Sequence, residues 1–523
     1  MPIRFDSGGD DNNNFGNKGS GSSSRGNNTG AIAVLMFVLF FVFRKPKIAI
    51  PILLIGGIIF YFFGGADSFI DKTSKGIFGT GCGLDEEKYD KTMVYEPLAS
   101  NSSKNNIPSA ASLLRYAPKR RNQGQQGSCV GWATAYAARS IVEAVSTGKN
   151  PDEVSFSPAF LYNQIALPGC QGSYTSEALE KMKKDGLVYY DKFLYDERTC
   201  SKIPSSDLLA EAKNFKIRGY NRLSKGGSNY DVDIDALKQN IAQGAPVVIA
   251  MNVPESFYYV NSDLWTPKSN EYKGLERLGG HAMCAIGYDD NKFGGAIQIM
   301  NSWGRNWGND GVFWMKYKDF ARFTREAYGL FPHAKIKEKE ANEFDVAFGL
   351  VDADKNVNIP VKQVRGNLFK TVSPIGKGDR FKIEVSNNVE CYIYVFGQET
   401  NGSSYILFPY IEEGKTKSKY SPFCGIVGTR QFPSGKAALK ADDIGNQDFM
   451  AVVVSKDELD YQELNNRINR SPGGDYLAKL NKAMGSMQII NPNFKLNASS
   501  VSFKGNTNNA QKAVGVVLAI DKN

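Results

Sequence analysis

Apolar and polar positions divide the chain into blocks of different character. Residues 1–30 are mostly Gly, Asn and Ser with almost nothing to bury, so they read as a disordered tail. Two apolar runs follow, at 31–43 and 48–65, split by Arg44, Lys45, Pro46 and Lys47. The second is near the length of a membrane span, and the first is short unless its flanks tilt or snorkel. They begin too far from the N-terminus for a cleaved signal peptide. Arg44, Lys45 and Lys47 should stay cytoplasmic, which places residues 66–523 on the far side of a membrane whether one run spans or two. A buried helical hairpin in a soluble protein is the alternative.

Residues 66–106 are mixed and read as a weakly structured linker. From 107 to 336 helical and strand patterns alternate, as in an α+β domain. Within it, apolar residues cover nearly every face from Val130 to Val145, which predicts a helix buried inside its domain. "HAMCAIGY" and "AIQIMNSW" predict two strands joined through "DDNKFGG". A hairpin centred near Asn291 sets His281 opposite Asn301. The charged stretch 337–344 reads as a second linker. Residues 345–523 alternate at period two across turn residues Asn401 and Gly402, and again in "DFMAVVVS" and "AVGVVLAI", with one helix in "KDELDYQELNNRINR". They predict a β-sandwich-like accessory domain.

Composition narrows the chemistry. A chain of 523 residues, 42% hydrophobic and 22% charged, is a globular protein of two or three domains. The net charge of +9 is spread without an Arg-rich block, so no nucleic-acid partner is expected. There are two histidines, His281 and His333, and no HExxH, so neither a metal nor another cofactor is expected. The seven cysteines include no CxxC pair. Cys129 stands at the first turn of the buried helix, where unpaired N–H groups and the helix dipole favour a thiolate. An amide facing His281 would fix its tautomer and leave the other ring nitrogen free for a thiol. A small buried cysteine and a satisfied core histidine are the structural alternatives.

Gln123-Gly-Gln-Gln-Gly-Ser-Cys129, then His281-Ala entering a strand, then Asn301-Ser-Trp-Gly-x-x-Trp-Gly resemble the papain family of cysteine peptidases over residues 110–335. The resemblance implies a two-lobed catalytic domain, a helical lobe beside a β-barrel-like one, acting on protein or peptide substrates through an acyl-thioester. Cys129 would be the nucleophile and His281 the general base and acid. Asn301 would orient His281, Trp303 would shield their hydrogen bond, and Gln123 would join the Cys129 N–H in an oxyanion hole. Gly172, Ser173, Gly280 and Trp303 would meet the substrate.

The pattern also departs from the family. Val130 replaces the usual tryptophan, Gln126 a common cysteine, and Ser173 a glycine whose backbone usually pairs with bound peptide. Cys170 and Cys200, left without their usual partners, are expected to bond to each other. No long inhibitory segment is expected in 66–106. The C-terminal region is similar to an uncharacterised β-rich domain of bacterial surface and signalling proteins, a possible partner-binding module. Together these imply a membrane-anchored, extracytoplasmic bacterial peptidase. The alternatives are a transpeptidase or amidase using the same triad, or a silent or occluded peptidase fold serving as a binding module.

Overall fold

The apolar run after Cys129 folds into one long helix. It passes from Cys129–Gly131 through widened π-type turns at Trp132–Arg139 to Ser140–Thr147, and ends at Gly148, whose φ of 70° suits a glycine. Every residue from Cys129 to Val142 is buried, as an all-round apolar pattern requires. The computed structural model describes residues 3–6, 79–224, 231–275, 278–331, 343–412, 414–497, 500–508 and 510–523. The apolar runs at 31–43 and 48–65, His333 and residues 337–342 of the second expected linker lie outside these. No described helix is long and apolar enough to cross a membrane.

The helix packs against Gly280–Asp289, the central strand of a mixed sheet. Strand order is Tyr220–Arg222, Thr324–Leu330, Val247–Asn252, Gly280–Asp289, Ala296–Met300, Val312–Lys316 and Leu264–Trp265. His281 to Tyr288 are all buried, because both faces of this strand are covered. The predicted hairpin forms, but its register differs from the expected one. Cys284 pairs with Met300 and Ala285 with Ile299, then a bulge shifts the ladder so that Gly287 meets Gln298. His281 pairs with Met251 on the opposite neighbour instead of Asn301. Symmetry about Asn291 fails because the turn is centred further along, with Asp289 opposite Ala296, and the bulge then moves the pairing by one residue.

The C-terminal region is a two-sheet sandwich. One sheet is built around Glu343–Asp352 and Arg380–Asn387, the other around Cys391–Gln398, Gln447–Ser455 and Ala513–Asp521. Their inward-facing residues, among them Phe348, Ile383, Val395, Val452 and Val516, form a common core. The expected helix is Tyr461–Arg470, and a second, Tyr476–Met484, packs beside it on the outer face of the second sheet.

Two expectations of disorder are corrected. Within the tail, Ile3–Asp6 is a strand that pairs antiparallel with Ala438–Ala441. Within the expected 66–106 linker, residues 79–106 are built into the fold. Cys82–Gly83 is a strand, Glu86–Lys91 is a helix capped by Asp85, and Tyr89, Val94, Tyr95 and Leu98 are buried. The segment is polar in sequence because it binds by backbone and amide groups more than by an apolar face. All described residues belong to one compact unit.

Glu96 of this segment is 1% exposed, and burial raises its carboxyl to about 7 against the pull of Ser434, Arg430 and Lys382. A raised carboxyl favours the fold below its ordinary value of 4.5 and loses that contribution as pH rises through 7. Glu326, also raised to about 7 by burial, acts in the same direction. Urea unfolding of Glu96→Gln across pH 4.5 to 8 should therefore show a smaller decline than the parent, the difference being roughly 3 kcal/mol at most. Equal slopes would show that Glu96 does not titrate on unfolding.

Candidate active site

The glutamine-glycine turn before Cys129 is held by its own polar groups. Gly124 has φ +64°, in the left-handed region that favours glycine. Asn122 Oδ1 accepts from Gly124 N at 2.8 Å, and Gln123 N donates to Ser302 O at 2.8 Å. Ser302 Oγ donates to Gln123 Oε1 at 2.6 Å. With its oxygen committed, the Gln123 side chain presents its NH2 group.

His281 Nε2 lies 2.8 Å from Asn301 Oδ1. The Ser302 N–H also donates to that oxygen at 2.8 Å, which fixes the orientation of the amide. An acceptor on both counts, Oδ1 requires the proton on Nε2, so neutral His281 carries its lone pair on Nδ1. Nδ1 is buried and has no hydrogen-bond partner. Trp303 stacks on the imidazole at 4.6 Å and 26°, and Tyr258 stacks on Trp303 at 5.3 Å. The Cys129 sulfur lies by the backbone of Ala282, next in sequence to His281. The contact between His281 and Asn301 thus arises although the two do not pair across the ladder. The chain leaves the sheet after Met300 and turns Asn301 back towards the histidine.

Cys129 and His281 are both fully buried. Burial pushes the thiol up to about 12, overriding the N–H groups at the helix start, and lowers the imidazole to about 4 against the Asn301 bond. The expectation of a thiol sharpened by the helix end is therefore corrected for this state, in which thiol and imidazole are both neutral. Water is kept out by the chain itself. Gly79 O accepts from Gln123 Nε2 at 3.0 Å and from Trp303 Nε1 at 3.0 Å, and Gly79 N donates to Gly124 O at 3.0 Å. Gly81 N donates to Gly280 O at 3.3 Å, and Ser173 N donates to Gly81 O at 2.9 Å. Cys82 pairs parallel with Ser173 and antiparallel with Gly280. The segment so occupies Gly172, Ser173, Gly280 and Trp303, the positions assigned to substrate.

The fit depends on glycine. A Cβ at Gly81, where φ is +145°, would lie 2.5 Å from Gly127 O. Gly79, Gly81 and Gly83 alternate with Thr80 and Cys82, so one face of this extended stretch carries no side chains. That alternation was the available signal for the segment, and it reads equally well as a linker. Ser302, inside the Asn301-Ser-Trp triplet, is the other residue that sequence reasoning passed over. Cys170 and Cys200 form a disulfide with a Cα separation of 5.8 Å, and the remaining five cysteines are free and buried. Among the described residues no cluster of His, Cys, Asp or Glu could hold a metal ion.

Residues 114–329 match the family model described as papain family cysteine protease. The chain is 30% identical over 254 residues to an uncharacterized peptidase C1-like protein of Acanthamoeba polyphaga mimivirus, covering 45% of this chain and 77% of that protein. It is 26% identical over 220 residues to cathepsin K of Mus musculus, covering 41% of this chain and 59% of the cathepsin. With pro-cathepsin H of Bos taurus it shares 27% identity over 198 residues, 37% of this chain and 54% of the relative. It thus spans a little over half the length of these two relatives. Among solved structures, xylellain, a cysteine protease from Xylella fastidiosa, aligns at 26% identity with a TM-score of 0.39, covering 49% of this chain and 96% of that one.

Proposed function

Because the chain belongs to the papain family of cysteine proteases, we propose that it hydrolyses peptide bonds through an acyl-thioester on Cys129. In this reading the Nδ1 lone pair of His281 takes the thiol proton once water and substrate replace the residues now covering it. The thiolate attacks the scissile carbonyl, and His281 returns the proton to the leaving amine. The Gln123 amide and the Cys129 N–H hold the developing oxyanion. Water then attacks the thioester, with His281 again as base. The observation that carries the reading is the 2.8 Å His281–Asn301 bond beneath Trp303, with Nδ1 buried and free of any hydrogen-bond partner.

The site as folded is a latent one, and the filled cleft also favours the reading of an occluded module. A variant with an open cleft separates them. Gly81→Val removes the fit over Gly127, and the full chain carrying it should cleave a mixed peptide pool. Adding Cys129→Ala should abolish cleavage. Alkylation of Cys129 without any cleavage would overturn the protease reading. Added amine acceptors, if they captured most of the acyl product, would favour transpeptidation.

Ser302→Ala tests the oxyanion assignment more gently. The Gln123 amide would be free to rotate, and loss of one hydrogen bond should lower kcat by roughly fivefold to tenfold with little change in KM. Steady-state kinetics in the opened protein would check this. On the sequence of 31–65 alone we further place the enzyme at a membrane, with the peptidase and sandwich regions on the extracytoplasmic side. Protease protection of right-side-out against inverted vesicles, probed with an antibody to the C-terminus, would test that placement.

A further inference from the structure

The stretch that fills the cleft is poorly equipped to stay there by itself. Gly79, Gly81 and Gly83 have no side chains to bury, and glycine loses the most conformational freedom on being ordered. Its hold consists of a few hydrogen bonds, from the Gln123 amide, the Trp303 indole and neighbouring backbone, each modest once exchange with water is counted, together with the buried Cys82 beside Thr175. The residues that follow it are held far more extensively, 85–92 by the peptidase region through Glu177, Arg222 and Ala327, and 94–105 in large part by the C-terminal sandwich.

Val94 N donates to Lys419 O at 2.6 Å, and Ser421 N donates to Val94 O at 2.9 Å. Val94 also bridges to Arg222, so it stitches the two regions together through one residue. Arg430 is fully buried and gives Nε to Glu96 O at 3.0 Å, while its other nitrogens hold Asn387 Oδ1 and Ile426 O. Ala99 N donates to Thr429 O at 2.9 Å. Asn105 copies a strand with its side chain: Nδ2 donates to Thr429 O at 2.7 Å, and Oδ1 accepts from Thr429 N at 2.8 Å. Lys104 pairs with the buried Glu384 of the sandwich. From the peptidase side the Gln239 amide grips Leu98 N at 2.9 Å and Leu98 O at 3.3 Å.

We propose that the C-terminal sandwich is the fastener of the cleft segment. Docking of residues 94–105 along Lys419–Arg430 keeps Gly79–Gly83 seated over Cys129, and release of that dock opens the cleft. The physical basis is effective concentration. A weak intramolecular ligand tied close to its site by a short, fixed tether remains bound, and the same ligand on a loose tether does not. The dock is built mainly of backbone and amide hydrogen bonds, the composition of an interface that separates without unfolding either side. The sandwich is thereby given a role in control, and anything that competes for its Lys419–Arg430 edge would switch the site on. This inference rests on the protease reading for what the open cleft does, but not for whether it opens.

The test uses the full chain and two readouts, the rate of Cys129 alkylation by iodoacetamide and the hydrolysis of a peptide pool. Asn105→Ala removes both bonds to Thr429 from a partly exposed position, and alkylation should rise by roughly tenfold. Arg430→Lys should act in the same direction, and if burial makes it unfold, Asn105→Ala decides alone. Gly81→Val serves as the directly opened reference. If that variant opens Cys129 while Asn105→Ala stays as slow as the parent, the segment seats itself and the fastener is overturned. If Asn105→Ala and Gly81→Val both admit iodoacetamide and neither hydrolyses peptide, the fastener stands and the protease reading falls. Hydrogen exchange at the Val94 and Ala99 amides should accelerate in Asn105→Ala, and unchanged exchange would count against the dock.

Discussion

Alanine at position 281, placed in the opened Gly81→Val protein, should lower turnover by roughly 10⁴-fold. In the proposed mechanism the His281 imidazole is the base, and no other histidine lies within the papain-family match at 114–329. Without it the thiol must ionise unaided, and the leaving amine must depart unprotonated. Alkylation of Cys129 at mildly acidic pH provides a second measure. In the opened parent an imidazolium partner sustains thiolate there, and in the variant that reactivity should vanish. Equal alkylation in both would show that Cys129 is not paired with His281. The closed protein adds a pH effect of its own. Burial holds His281 near 4, so the closed state gains its full contribution above the ordinary value of 6.5 and loses it as pH falls towards 4. Acid should therefore loosen the segment through His281, whereas rising pH should loosen it through Glu96. His281→Ala should remove only the first of these. Iodoacetamide labelling across pH 4 to 8, corrected for reagent reactivity, would separate the two arms.

The candidate catalytic residues were legible as local features because their surroundings are local. Cys129 announces its helix by the apolar run that follows it, and Gln123 announces its turn by the glycines around it. The C-terminal strands were legible for a similar reason, since alternation at period two survives wherever one sheet face meets a core. What failed was whatever depends on distant partners. The turn closes past Asn291, with Asp289 opposite Ala296, and composition does not mark that centre, so a hairpin drawn by symmetry put His281 in the wrong register. Residues 79–106 failed more instructively. Their hydrogen bonds go to Gln239, Thr429 and Arg430, which are more than a hundred residues away. A segment that binds through its backbone needs no apolar period, and so reads as a linker.

Gln123→Ala should have two opposite effects in one protein, and that combination identifies its position better than either effect alone. In the opened background it removes an oxyanion donor, so kcat should fall by roughly 10²–10³-fold with KM little changed. In the otherwise native chain it removes one of the two donors that hold Gly79 O, leaving the Trp303 indole alone. The cleft segment should then loosen, and alkylation of Cys129 should quicken by several-fold. A residue of purely structural importance would loosen the segment without touching kcat in the opened protein. One that served only chemistry would leave the segment seated. Trp303→Phe is the informative companion, since it deletes the other donor to Gly79 O yet retains an aromatic ring over His281. It should loosen the segment comparably while costing hydrolysis much less. If Gln123→Ala lowered kcat but left alkylation of the closed protein unchanged, its bond to Gly79 O would contribute nothing to latency. The hold on the cleft would then lie with the Trp303 indole and the strand contacts to Ser173 and Gly280.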